Sequence, residues 1–150
     1  MKRAHYAGRD FHRAVNIEDL RRIARRRLPN FSFEYVEGGA EDELALRRNR
    51  DVFERIAWVP RTLASVGTPD LATEILGDSC HLPLVIAPTG FNGLLWPQGD
   101  LALAKAAADA GIPFTLSTVS NYPVENLTAE VPGRTWFQLY PMKEARVIDR

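Results

Sequence analysis

The sequence predicts an α/β fold with parallel strands, preceded by a helical extension. In the second half of the chain, short apolar segments alternate with helical ones. Strands that alternate with helices pair in parallel through right-handed crossovers. The first half shows helical periodicity and one hairpin pattern instead. We therefore expect a flexible N-terminus at residues 1–15, an extension of helices and a β-hairpin at 16–82, and the first three β/α units of a larger fold at 83–150.

The extension is expected to contain two helices. Residues 17–28 place apolar side chains at helical spacing, with arginines on the other face. After a short aromatic segment at 31–36, residues 41–56 are predicted to form the second helix, with acidic residues at its start, where the helix dipole favours them. Short β-like segments at 71–76 and around Cys80 then predict a small hairpin.

Three repeats of strand and helix follow. The predicted elements are, in order, 84–87, 101–110, 114–116, 124–130, 135–139 and a helix from Lys143 onward. Three such units do not close, because a parallel sheet needs cover on both faces and partners at its edges. A (β/α)8 barrel has eight strands in about 250 residues. We therefore expect the N-terminal part of a (β/α)8 TIM barrel, with a complete three-stranded α/β sandwich as the alternative.

Composition narrows the classes of partner. The 150 residues are 45% hydrophobic and carry 19 basic and 19 acidic side chains, which is typical of a soluble globular protein. Such neutrality gives no electrostatic reason to expect nucleic acid as a partner. Cys80 is the single cysteine, so the chain holds no internal disulfide and no cysteine-based metal site, and we expect no metal. No apolar run approaches the roughly 18 residues of a membrane span.

Polar groups follow each of the three predicted strands. The first is followed by Pro88-Thr89-Gly90, the second by Ser117-Thr118, and the third ends at Gln138-Leu139-Tyr140. Active sites of barrels lie at the carboxyl ends of the strands. Such a rim suits a flat polar heterocycle, since backbone approaches a ring closely at glycine and Ser and Gln can bond its heteroatoms. Taken singly, each Ser or Thr is more often a helix cap.

Four segments of the chain are notable for their order and spacing. They are Leu28-Pro29 through Tyr35 to Gly39-Ala40-Glu41-Asp42-Glu43, Ala87-Pro88-Thr89-Gly90, Leu116-Ser117-Thr118 and Trp136-Phe137-Gln138-Leu139-Tyr140. Together they resemble the FMN-dependent 2-hydroxy-acid dehydrogenase and oxidase family, in particular its mandelate and L-lactate dehydrogenases. The resemblance implies a barrel that uses FMN to oxidise an L-2-hydroxy acid of the lactate or mandelate type to the 2-oxo acid.

The resemblance also implies roles for particular residues. Six would contact the flavin: the backbone of Ala87, Pro88, Thr89 and Gly90, and the side chains of Ser117 and Gln138, which would bond its polar edge. Tyr35 would bind the substrate carboxylate. Tyr140 would stand over the flavin, bond the substrate and be the catalytic residue that this chain supplies. Without the family, Tyr35 is more simply an aromatic packed beside its neighbours, and Tyr140 a tyrosine leaving a strand edge.

Two further positions are expected to tune the choice of substrate. Gly90 stands where oxidase-type members of the family carry alanine, and the missing methyl group would widen the space beside the flavin, which goes with dehydrogenase behaviour. Val119 stands where some relatives have tryptophan, and it leaves room for a substituent such as a phenyl group. Both favour a mandelate-type over a glycolate-type substrate.

Several groups of the family's active site have no counterpart in this chain: the histidine base, the carboxylate-binding arginine, the lysine beside the reduced flavin and the phosphate site. His5 and His12 lie in the polar N-terminus, and His81 precedes the first strand, at the stability face of a barrel. A general base must lie within hydrogen-bond reach of the proton it removes. We therefore expect a truncated portion that is inactive alone.

Two other interpretations of the chain stay open. A non-catalytic flavin-binding or interaction module would explain why the flavin-edge residues are present without a base. A degraded gene product would expose apolar strand edges and aggregate. The resemblance further implies a cytoplasmic protein, or one held peripherally at the inner membrane, whose full-length relatives are often homo-tetramers.

Overall fold

The chain divides into two units, Met1–Ser65 and Val66–Arg150. The structure, a computed structural model, describes residue 8 and residues 10–64 and 67–143. Most of the N-terminus predicted to be flexible lies outside the described residues, and so does the helix predicted beyond Lys143.

Helix α1, Ile17–Arg27, opens the first unit after a short 3₁₀ turn, Phe11–Arg13. The side chain of Asn16 caps this helix by accepting a hydrogen bond from the backbone N–H of Asp19 at 2.8 Å. Acidic residues stand in the first turn and arginines in the last, as the helix dipole favours. The helix ends shortly before Pro29, one residue short of the prediction.

The aromatic segment forms a second helix, α2, Asn30–Glu37. It begins directly after Pro29, whose fixed φ suits the start of a helix. Ile23 of α1 and Phe33 of α2 are both buried where the two helices pack. The guanidinium carbon of Arg25 lies 4.7 Å from the centre of the Phe33 ring, a cation–π contact that covers this small core.

Helix α3 spans Leu44–Glu54, a shorter range than the predicted 41–56. Glu41 and Glu43 have φ of 50° and 57°, a left-handed conformation that does not continue a right-handed helix. The acidic residues expected in the first turn therefore precede the helix. The carboxylate of Glu43 accepts a hydrogen bond from the Gly39 N–H at 3.1 Å instead.

A hairpin begins the described part of the second unit. Strand β1, Thr73–Ile75, pairs antiparallel with β2, Asp78–Cys80. The turn residues 76 and 77 have φ of 53° and 82°, and a type I′ turn needs positive φ at both. Arg134 ties the hairpin to this unit, because its Nε lies 2.7 Å from Asp78 Oδ2. The hairpin, grouped with the extension from sequence, therefore belongs to the second unit.

Among the described residues, the parallel sheet of the second unit consists of two strands and one bridging residue. Strand β3, Phe114–Leu116, pairs in parallel with β4, Thr135–Phe137. On the other side of β3, Ile86 forms a single parallel bridge to Phe114. The strand predicted at 84–87 is thus reduced to one bridging residue. The prolines at 83 and 88 explain this difference, since proline lacks the N–H that a longer ladder needs.

Two crossover helices cover the sheet: α4, Gly99–Ala110, leads into β3, and α5, Val124–Glu130, connects β3 to β4. Their buried side chains form one core with the strands: Leu101, Ala104, Ala107, Phe114, Leu116, Leu127 and Val131. Leu127 is fully inaccessible to solvent. Burial of one such leucine contributes about 1.5–3 kcal/mol. This core fixes α4, α5 and the strands relative to one another, and so determines where the strand ends lie.

Candidate functional site

Ser117 and Gln138 meet at the carboxyl ends of β3 and β4. The strand pairing extends past β4, because the Gln138 N–H donates to the carbonyl of Leu116 at 2.9 Å. Its side-chain Oε1 accepts hydrogen bonds from Ser117 Oγ at 3.4 Å and from the Thr118 N–H at 3.2 Å. Ser117 is buried and accepts in turn from the Val119 N–H at 3.2 Å. The two side chains predicted at the flavin edge are therefore hydrogen-bonded partners.

The side-chain amide of Gln138 uses its oxygen in hydrogen bonds to Ser117 and Thr118 and leaves its nitrogen available to a ligand. Its Nε2 makes no hydrogen bond to any residue that the structure describes, and the side chain is half-buried. Two N–H donors are therefore available to a ligand that presents carbonyl oxygens or ring nitrogens. The polar edge of a flavin presents such acceptors, so the donor set at this strand end fits the group that the resemblance implies.

Thr118 connects this strand end to Tyr140. Its Oγ1 donates to the carbonyl of Gln138 and accepts a hydrogen bond from the Tyr140 backbone N–H at 3.1 Å. The side chain of Tyr140 is 45% exposed. Thr118 thus sets the backbone position of Tyr140, a role that the sequence did not indicate, since a threonine after a strand was recognised only as a polar group.

The loop Ala87–Gly90 lies at the end of the first parallel segment. Its first three residues are exposed and Gly90 is half-buried. The loop is bound to the segment after β3, because the Phe91 N–H donates to the carbonyl of Val119 at 3.1 Å. The structure thus brings residues 87–90 and 117–119 together. A flat ring could lie against this backbone, because the side chains there are small and the glycine permits close approach.

Gly90 faces Val119 directly. A Cβ added to Gly90 would lie 2.5 Å from Val119 Cγ2, and the next atoms, Val119 Cβ and Ser117 Oγ, would be 3.7 and 3.8 Å away. The position that a methyl group would take is therefore already filled by the valine. The sequence had indicated that glycine here widens the space beside the flavin, but the side chain of Val119 occupies that volume.

Tyr35 belongs to the first unit. It lies on α2 and is 61% exposed. Its helical setting was not evident from the aromatic segment. Its role toward the strand ends of the second unit stays a prediction.

A buried polar network behind the Ala87–Gly90 loop was missed from sequence. It consists of Asn92, Asp100 and Ser120, joined by hydrogen bonds of 2.7 and 2.8 Å to the two oxygens of the Asp100 carboxylate. Asp100 is 2% exposed. In the sequence, an aspartate in the first turn of a helix indicates only a favourable dipole interaction. Its partners lie in two separate loops, and their approach depends on the tertiary fold.

The arginine cluster of α1 lines a cleft of about 440 Å³ together with Phe33 and acidic residues of α2. Arg21 bonds both Glu37 and Glu18, and Arg25 bonds Glu34. The hydrogen bond from Arg21 lowers the pKa of Glu37 below the usual range of a glutamate. The cluster is thus engaged in exposed ion pairs, in line with a solvated helix face.

Two histidines, His12 and His81, belong to the described residues. The backbone N–H of His81 donates to the Gly111 carbonyl at 3.0 Å, before the first parallel segment, and the ring of His12 stacks near Phe11 at 4.1 Å between centroids. His5 lies outside the described residues. Within the part of the chain that is described, no cluster of three or more His, Cys, Asp or Glu could hold a metal ion. Nor does any helix there have the length and apolar character needed to cross a membrane.

Comparison with known proteins identifies a family. A sequence model of the FMN-dependent dehydrogenases matches residues 24–150. The (S)-mandelate dehydrogenase of Pseudomonas putida is 51% identical over 83% of this chain and 32% of its own length. An L-lactate dehydrogenase of Allorhizobium ampelinum is 44% identical over 84% of the chain and 33% of its own length. The chain thus spans about a third of the length of these curated relatives.

Solved structures agree with this result. A (S)-mandelate dehydrogenase described as a monotopic membrane protein superposes with a TM-score of 0.80 at 50% identity, over 85% of this chain and 34% of its own. A mandelate oxidase superposes with a TM-score of 0.82 at 39% identity, over 90% of this chain and 40% of its own. A soluble mutant of the membrane-associated P. putida (S)-mandelate dehydrogenase is also similar, with a TM-score of 0.78 at 52% identity, over 83% of this chain and 36% of its own.

Proposed function

Because the chain belongs to the family of FMN-dependent dehydrogenases, we propose that it forms one side of a flavin site for the oxidation of an L-2-hydroxy acid to the 2-oxo acid. Members of this family are oxidoreductases, and FMN is their cofactor. The observation that carries the proposal is the hydrogen-bonded pair of Ser117 and Gln138 at the ends of β3 and β4. In this proposal, the three parallel segments are the first strands of a (β/α)8 barrel.

In this site, the chain's own residues bind and orient the cofactor. The open Nε2 of Gln138 would donate to the polar edge of the ring, and the bonds from Ser117 and Thr118 hold the amide in an orientation that permits this. The backbone of Ala87–Gly90 would hold one face of the ring and exclude water from it. When bound, FMN accepts the two electrons that leave the substrate.

Tyrosines bind the substrate. Tyr140, whose backbone is held by Thr118, would donate its phenolic hydrogen to a substrate oxygen. That Tyr35 binds the substrate carboxylate is proposed from the family resemblance alone. The side chain of Val119 fills the volume beside Gly90, but it is smaller than the tryptophan of some relatives and so leaves room for a phenyl group. We therefore favour a mandelate-type substrate over the smaller glycolate.

Binding of FMN to the purified chain tests the proposal. Flavin fluorescence titration is expected to give weak binding, because the contacts proposed here are to the ring and none is to the phosphate. Gln138→Leu should weaken the affinity about tenfold, the loss expected for one or two hydrogen bonds. Asn126→Leu, which removes an exposed amide on α5, is the matched control and should leave the affinity unchanged. Equal affinities of all three proteins, or no binding by the unchanged chain, would refute the proposal.

We further propose that the chain alone does not turn over hydroxy acids, because the strand-end residues described above, Ser117, Thr118 and Gln138, include no group suited to remove the substrate proton. The assay supplies FMN, L-lactate or (S)-mandelate, and an artificial electron acceptor. Turnover clearly above a flavin-only control would contradict this. Flavin binding without turnover would favour the second candidate function, a non-catalytic flavin-binding module, which is supported by the same Ser117–Gln138 pair.

We also propose a location and an oligomeric state for the protein. A peripheral attachment at the cytoplasmic face of the inner membrane is supported by one solved relative described as monotopic and another described as membrane-associated. Co-sedimentation with anionic lipid vesicles tests this, and a protein that stays in the supernatant at low salt would contradict it. The homo-tetramer inferred from family members is tested by analytical ultracentrifugation, and a monomer at every concentration would contradict it.

A further inference from the structure

The buried carboxylate of Asp100 joins two loops of the proposed flavin site. Asp100 is the second residue of α4, and it is 2% exposed. Its Oδ1 accepts from Asn92 Nδ2 at 2.7 Å, and its Oδ2 accepts from Ser120 Oγ at 2.8 Å. The first distance is shorter than that of an ordinary N–H···O hydrogen bond, and the second is ordinary for an O–H···O hydrogen bond. A buried carboxylate is costly unless its oxygens are bonded, so this arrangement is strongly specified.

One arm of the network holds the Ala87–Gly90 loop. The amide nitrogen of Asn92 also donates to the Thr89 carbonyl at 3.0 Å, and the Thr89 hydroxyl donates to Asn92 Oδ1 at 3.0 Å. Thr89 is therefore bonded through both its backbone and its side chain. The carboxylate orients the Asn92 amide, and the amide sets the backbone of the loop.

The other arm holds the segment after β3. Ser120 Oγ accepts from the Tyr122 N–H at 2.9 Å while it donates to Asp100. Ser120 directly follows Val119, whose carbonyl binds Phe91 and whose side chain faces Gly90. The network thus connects the Ala87–Gly90 loop, the start of α4 and the segment after β3 to one another.

The start of α4 is shaped to permit this contact. A Cβ at Gly99 would lie 2.8 Å from the Asn92 carbonyl oxygen and 2.9 Å from Asn92 Cβ, so a glycine is needed for the helix to approach this closely. The N-cap residue, Gln98, gives no side-chain hydrogen bond to the helix. The carboxylate of Asp100 makes its two hydrogen bonds to the loops rather than to the backbone of the helix.

We propose that Asp100 is a positioning residue of the flavin site. Through Asn92 it sets the backbone of Ala87–Gly90 against one face of the ring, and through Ser120 it sets the segment that carries Ser117 and Val119. It touches neither cofactor nor substrate. This inference rests on the proposed function, because the geometry that Asp100 maintains matters only if a planar ligand lies between these loops and the strand ends.

The test compares the unchanged chain with Asp100→Asn, Ser120→Ala and the control Asp109→Asn, which removes an exposed carboxylate from the same helix. Two quantities are measured: the affinity for FMN and the visible circular dichroism of FMN at saturation. The dichroism reports how the bound ring is oriented, and a loss of stability alone would not change it. Asp100→Asn should lower the affinity about tenfold and alter the dichroism, Ser120→Ala should do so less strongly, and Asp109→Asn should match the unchanged chain.

Failure of this inference can be distinguished from failure of the proposed function. If the unchanged chain binds FMN and Gln138→Leu weakens that binding, the proposed function stands. The positioning role is refuted if Ser120→Ala then retains the original affinity and dichroism. The same result is required of Asp100→Asn if that variant folds. Ser120→Ala breaks only one arm of the network, so it remains informative if Asp100→Asn does not fold. A chain that binds no FMN overturns both ideas.

Discussion

Replacing Gly90 with alanine would place a Cβ 2.5 Å from Val119 Cγ2, well inside the 3.5–4.0 Å of an ordinary carbon contact. The valine would have to turn about χ1 or shift with its backbone. Such overpacking costs about 1–3 kcal/mol. The lower entropy of the unfolded chain offsets about 0.4–1 kcal/mol of this, since Gly90 does not have the positive φ that would strain an alanine. We expect a net destabilisation of about 1–2 kcal/mol.

The same substitution should be harmless when Val119 is alanine. The atoms nearest to the new methyl group are then the Cβ of residue 119 at 3.7 Å and Ser117 Oγ at 3.8 Å, both ordinary contacts. Gly90→Ala is expected to be neutral or slightly stabilising in that background. The coupling free energy between positions 90 and 119 should therefore equal the overpacking cost, about 1–3 kcal/mol.

Urea unfolding, followed by tryptophan fluorescence, measures this coupling across the four proteins of the cycle. Gly67→Ala is the control, because nothing lies within 4 Å of its Cβ and its φ is not positive. Additive effects, with a coupling below about 0.5 kcal/mol, would show that Val119 does not fill the place of the missing methyl group. The effect of glycine or alanine at position 90 on the space beside the flavin would then not depend on residue 119.

Three further predictions concern other parts of the chain. Gly77→Ala, at a φ of +82° with open space around it, should lower the free energy of unfolding in urea by about 1–2 kcal/mol. Gly111→Ala should lower it by at least about 1 kcal/mol more, because the new Cβ would also lie 2.3 Å from the imidazole Nδ1 of His81. Equal losses for the two variants would contradict this. Asn16→Ala should cost about 1 kcal/mol and Asn16→Ser almost nothing, and equal melting temperatures for the two would contradict the cap. The hydrogen bond to Glu130 raises the pKa of Tyr122. The stability that this bond contributes is present below the ordinary tyrosine pKa and is lost as the pH rises through the higher pKa of the folded protein. Glu130→Ala should therefore shift the titration of one tyrosine to lower pH in an absorbance titration, and an unchanged titration would contradict this.

Much of the fold was predictable because local signals and tertiary packing agree. The periodicity at α1 and α4 coincides with caps and with Gly111, so their extents differ little from the prediction. Disagreement arose where backbone conformation outweighed composition. The acidic run before α3 suits a helix start, yet the left-handed Glu41 and Glu43 delay that start, and no side-chain pattern signals such a conformation.

The candidate site was predictable only in part. Ser117 and Gln138 were predictable because each is a polar residue at the end of a predicted strand, and parallel strands bring such ends together. Asp100 gave no signal, since its partners lie in separate loops and only the folded core aligns them. The contact between Gly90 and Val119 was also hidden, because spacing along the chain does not specify which side chain fills the volume beside a glycine.

β3 lies between two partners, one earlier in the chain and one later: Ile86 on one side and β4 on the other. Each pairing spans a single crossover helix, so the first can form while the later part of the chain is still being synthesised. We therefore expect Ile86, α4 and β3 to assemble first and β4 to join an edge that is already ordered. In this order, Gln138 reaches Ser117 last, and the edge of β3 that pairs with β4 stays open until then.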